Sequence, residues 1–157
     1  MAIYKLLEDF DEHSYTLIAI HCSLEDYRMA YFLNSYIHLN LTKLPFNLKL
    51  SEEVSFSLYE WEDQVKDIKW NLISNISRIN TKSDSGIFKN SMVMNYCIPE
   101  YKKVDYFLKI ESENTFSMEQ KRVVNKIVQI PQVMTAYLLN PSQLKSKNNL
   151  IFLSNAK

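Results

Sequence analysis

A single glycine, Gly86, occurs in the whole sequence. Phosphate loops and dinucleotide-binding turns need several glycines where backbone closes on phosphate, so those nucleotide folds are excluded. Cysteine is scarce as well, and Cys22 and Cys97 stand far apart. Two lone thiols make neither a zinc ribbon nor a disulfide framework. His13, His21 and His38 show no His-x-x-x-His spacing, and no Cys-x-x-Cys occurs. Neither a metal nor another cofactor is therefore expected. No apolar run approaches the roughly 18 residues of a membrane span. The opening MAIYKLLEDFDEH turns acidic at once, unlike a secretory leader. The expectation is a cytoplasmic protein with reduced thiols.

What is present fits an ordinary globular chain, with 46% hydrophobic and 23% charged residues in 157. That length suits one domain over residues 1–157, large enough to fold without disulfides or metal. The zero net charge hides a split. Residues 1–63 carry 11 acids and 4 bases, and residues 64–157 carry 7 acids and 14 bases. A basic half suits nucleic acid, but interleaved halves would neutralise each other. Lysine outnumbers arginine 15 to 3, which also reflects AT-rich coding.

The stretch SYTLIAIHCS (residues 14–23) alternates with both faces largely apolar, the pattern of an interior strand. Ser23-Leu-Glu-Asp26 has the form of a capping box, and the spacing predicts a helix from Leu24 to about Ile37. Met29, Leu33 and Ile37 mark its buried side. Period-two runs follow at 46–50, 54–58, 68–76, 92–98 and 104–110, with polar breaks at 51–53, 62–66 and 81–86. Ser117-Met-Glu-Gln120 predicts a second helix start, and Pro131 stops that helix. Val133 to Leu139 reads as a last strand, with a short helical turn from Asn140 and an apolar end at Leu150 to Leu153.

The order strand, helix, strands, helix, strand predicts an α+β fold. Its sheet is largely antiparallel, a ferredoxin-like split βαβ enlarged by a β-meander. Both helices would cover one face. The other face, with aromatics such as Trp61 and Trp70 on it, is expected to be open or to bind something.

Residues 98–106 read IPEYKKVDY. With Ser23–Arg28 and Ile130–Tyr137, this stretch resembles the IPExxxVDY family of small bacterial proteins. The resemblance implies no assigned activity. Read physically, Pro99 sets a hairpin turn, and Glu100 and Asp105 flank Lys102 and Lys103. One reading brings Glu100 and Asp105 together at the hairpin mouth, with Lys102, Lys103 and Tyr106 beside them, as a site that binds a partner or a cation. The other makes them a turn with strand-edge pairing, since exposed ion pairs contribute only about 0–1 kcal/mol. His21 and Cys22 are neighbours on a strand, so they face opposite ways and form no catalytic pair.

The functional expectation is a non-enzymatic protein-interaction or regulatory module, with a homodimer through an open sheet or an edge strand among its forms. The alternative is an RNA-associated accessory protein. That reading draws on Lys66, Lys69, Arg78, Lys82, Lys89, Lys102, Lys103, Lys109, Lys121, Arg122 and Lys126, with Trp70, Tyr96 and Tyr101 nearby, around an open sheet face. No catalytic residue is expected.

Overall fold

A computed structural model describes residues 15–81, 91–112 and 117–150. The expectations for the N-terminal segment, Lys82, Gly86, Lys89 and Ile151 to Leu153 lie outside the described residues, as does the Ser117 side chain. The elements are β1 (Tyr15–Cys22), α1 (Asp26–Ile37), β2 (Thr42–Lys43), β3 (Leu48–Lys49), β4 (Ser55–Phe56), β5 (Leu58–Asp63), β6 (Ile68–Ser74), β7 (Ile76–Thr81), β8 (Ser91–Tyr96), β9 (Tyr106–Ser112), α2 (Ser117–Val128) and β10 (Val133–Leu139).

The main sheet runs β10-β1-β9-β6-β5-β2, every neighbour antiparallel. Its first four strands have the split βαβ order, with β1-α1 at the start and β9-α2-β10 at the end. β5 and β2 extend one side, and β3-β4 and β7-β8 form separate ribbons. The α+β class read from the sequence is the class observed.

Period-two alternation puts Ile18, Ile20, Trp70, Leu72, Leu108 and Ile110 on one face. Met29 and Leu33 of α1 and Val123 and Ile127 of α2 pack on that face, so both helices share one layer. The α1 stripe follows the i, i+4 spacing of Met29 and Leu33. Its start differs from the sequence expectation. Glu25 occupies the N-cap position without a side-chain bond, and Ser23 is exposed. Asp26 is thus the first helical residue, and the capping box is not formed.

The second face is not open. Leu17, Ala19, Leu58, Ile73 and Phe107 are covered by Phe56, Cys97, Ile98, Val104, Leu144 and Leu150. Trp70 lies on the helix face instead, and Trp61 packs at that core's margin. Burying one such aliphatic side chain contributes about 1.5–3 kcal/mol. Ile98, Val104, Leu144 and Leu150 together therefore outweigh the about 1–3 kcal/mol that a stacked base returns. The cover stays docked, and the expected aromatic sheet platform is absent from this face. Lys109, counted above among surface bases, is 4% exposed; its Nζ donates to the Leu150 carbonyl at 2.8 Å and lies 4.7 Å from the Tyr15 ring centre.

With so little glycine, left-handed backbone falls to other residues. His38 (φ 62°) ends α1, Asp67 (φ 55°) closes the β5-β6 turn, and Gln132 (φ 73°) leads into β10.

Candidate functional site

The IPEYKKVDY segment is not a hairpin. β8 pairs with β7, whereas β9 enters the main sheet between β1 and β6, so residues 97–105 cross from one to the other. A 3-10 turn at Pro99–Tyr101 starts the crossing, with proline in the first turn where a missing N–H costs nothing. Ile98 and Val104 are buried at its two ends.

One residue holds the crossing in place. Asn75, fully buried between β6 and β7, donates through Nδ2 to the carbonyls of Tyr101 and Val104, both at 2.8 Å. Its Oδ1 accepts from the Ile98 N–H at 2.8 Å. Its backbone N–H donates to the Asp105 carbonyl, and its carbonyl accepts from the Cys97 N–H, both at 2.9 Å. These bonds divert Asn75 from the ladder, which is why the expected 68–76 strand ends at Ser74 and a new one begins at Ile76. Sequence reading missed Asn75. Its only signal is a polar residue between two apolar runs.

The sequence candidates separate. Asp105 Oδ2 accepts from the Cys22 N–H at 2.9 Å, beside the register shift between His21 and Cys22. Tyr106 is 7% exposed and its hydroxyl donates to the Leu24 carbonyl at 2.7 Å, tying the β1-α1 connection to β9. Glu100 points elsewhere, and its Oε2 accepts from the Ser146 N–H at 2.8 Å. Lys102 sits 5.9 Å from the Tyr96 ring centre, and Lys103 is exposed. The motif therefore acts as a clasp: Ile98 and Val104 fill the second core while Glu100, Asp105 and Tyr106 each secure a different segment.

Electrostatics agree with this division. Burial raises the Asp105 carboxyl above its ordinary value, partly offset by the Cys22 amide and by the nearby His21 and Arg78. Slight burial works upward on Glu100 too, but its own amide and those of Ser146 and Lys145 outweigh it and hold the carboxyl low. Burial pushes the Cys22 thiol up to about 11 and the Cys97 thiol up to about 12, so neither supplies a thiolate near neutral pH. The two thiols lie in opposite cores and remain free. His21 Nε2 pairs with the Tyr137 hydroxyl at 2.9 Å, on the side of the sheet away from Cys22.

A polar cleft of about 560 Å³ opens beside the clasp, between the end of β1 and the β6-β7 junction, lined by Glu25, Asp26, Arg78 and Asp105. Asp26 already accepts from the Tyr27 amide and, at 3.4 Å, from the Tyr59 hydroxyl. Among the described residues no group of three His, Cys, Asp or Glu side chains could hold a metal ion.

The sheet's two edges contrast. β2 is two residues long, exposed, and ends in Lys43. Shortness and lysine are ordinary guards against strand addition. β10 is seven residues, VMTAYLL, with no charge. Among the described residues it pairs with β1 alone. Met134 and Leu138 on it are 78% and 39% exposed. Met134 is the extra residue of a bulge, opposite the step from His21 to Cys22, and Thr135 to Leu139 continue in regular register. No helix of the described residues is long and apolar enough to cross a membrane. No family model matches the chain, and neither a curated protein nor a solved structure matches it.

Proposed function

We propose that the chain is a cytoplasmic member of the IPExxxVDY family that works by binding protein rather than by catalysis, and that β10 is its contact strand. The observation that carries this reading is the uncharged seven-residue edge. An edge strand offers a row of backbone donors and acceptors, and strand addition uses them with little demand on side chains. Antiparallel pairing of β10 with a second copy satisfies two-fold symmetry without any further element, so the partner is a second copy of this chain. The raised thiols and the dispersed motif residues support a role without a nucleophile.

Sedimentation velocity over a concentration series tests the proposal. The wild type should show a monomer–dimer equilibrium. Leu138→Lys, at an exposed position, should shift it to monomer while leaving circular dichroism and melting intact. A wild type that stays monomeric throughout, or an unchanged dimer in Leu138→Lys, would overturn the assignment.

A further inference from the structure

A second cleft lies on the helix side of the sheet, where the C-terminal end of α1, the β5-β6 turn and α2 meet. Its volume is about 190 Å³. Trp61 and Trp70, opposite each other on β5 and β6, line it together with Tyr36. Around these rings stand Lys66 from the turn and Arg122 and Lys126 from α2. Arg122 and Lys126 are four residues apart and so share one helix face, where like charges repel mildly. The described ion pairs are Lys69–Glu60 and Lys109–Glu111. Lys66, Arg122 and Lys126 therefore have no carboxylate partner among the described residues. Asp63 and Glu119 also line the cleft, so three cations face two carboxylates there; Asp63 Oδ1 accepts from the amides of Val65 at 3.1 Å and Lys66 at 3.3 Å.

The walls are fixed before anything binds. Asp63 sets the turn that carries Lys66. Asn34 grips Leu41 twice, accepting its N–H at 2.8 Å and donating to its carbonyl at 3.2 Å, which pins the 38–41 connection. Pre-fixed walls lower the ordering cost of a ligand.

The geometry points to a binding site for a small anion that carries a planar ring, the chemistry of a mononucleotide. The ring stacks at Trp61, the half-buried member of the pair, with the buried Trp70 beside it, and the phosphate meets Arg122, Lys126 and Lys66. Aromatic faces accept any base, and guanidinium binds phosphate in a bidentate manner. The volume lies below the roughly 300–1,000 Å³ of most ligand pockets, which suits one ring with its phosphate at the rim rather than a folded chain. This site is separate from β10 and stands whether or not that strand pairs.

The test is direct because these two tryptophans are the only ones in the protein. Intrinsic fluorescence, excited at the red edge of the indole band, therefore reports on this cleft. Adenosine monophosphate should quench it saturably, and added salt should weaken the binding. Adenosine alone and pyrophosphate alone should each bind roughly tenfold or more weakly, as should the Arg122→Gln/Lys126→Gln double variant. Lys103→Gln, far from the cleft in the clasp, should bind as wild type. The absence of saturable quenching by adenosine, guanosine and uridine monophosphates would overturn the proposal. So would equal binding of adenosine, or an unchanged double variant. An oligouridylate binding far more tightly than the monophosphate would replace it with a single-stranded RNA site.

Discussion

Removal of the Asn75 side chain is the sharpest test of the clasp. Asn75→Ala deletes three hydrogen bonds of 2.8 Å and leaves the Ile98 N–H and the Tyr101 and Val104 carbonyls without those partners. An orphaned buried polar group costs about 1–3 kcal/mol. Water can reach the Tyr101 side, which is part-buried, while the bonds to Ile98 and Val104 are buried. Counting the two buried partners fully, with the Tyr101 carbonyl still held by the Val104 N–H, gives a loss of about 2–6 kcal/mol. Against a typical total of about 5–15 kcal/mol this is severe but survivable for many domains. For a chain of this size it lowers the melting temperature by roughly 4–24 °C. Urea denaturation measures the free energy. Hydrogen exchange provides a local readout, since the Ile98 amide should lose protection before the β1 amides do. A loss below about 1 kcal/mol, or an Ile98 amide still as protected as those of β1, would refute the clasp.

Three further outcomes follow from the same geometry. Ser23→Ala should change stability by less than about 0.5 kcal/mol in denaturant titration, because Ser23 is exposed and caps nothing; a loss of about 1 kcal/mol would restore the capping box. Cys22 and Cys97 should react with thiol reagents only as fast as the protein opens, given thiols pushed up to about 11 and about 12 by burial, and rapid native labelling would contradict that. The folded protein holds a proton on Asp105 more readily than the unfolded chain does, so stability from this group falls as pH rises from the ordinary carboxylate value through the raised one. Asp105→Asn should flatten that slope in melts across the acidic range, whereas Asp105→Ala should cost about 1–3 kcal/mol at neutral pH by orphaning the Cys22 amide.

Alternation and stripe spacing alone were enough to locate β1, β9, β10 and both helices, because a side chain's face follows directly from backbone period. Proline geometry likewise ended α2 before Pro131. The strand-helix order even implied the split βαβ arrangement, since antiparallel neighbours leave few ways to join these elements. What local pattern could not supply was the identity of distant partners. Asp105 and Tyr106 answer to Cys22 and Leu24, more than eighty residues away, and Glu100 to Ser146, so the motif looked like a surface hairpin when read alone. Both faces of β1 read as apolar, yet the second sheet face was expected to be open, because no local pattern says that segments near 98, 104, 144 and 150 cover it. Asn75 showed only as a polar residue between apolar runs, because its meaning lies in three backbone groups 23 to 29 residues further on. The convergence of both tryptophans with Arg122 and Lys126 is likewise a product of topology. Periodicity records how each residue meets its own element, while sites are made where separate elements meet, and only the packed chain brings those together.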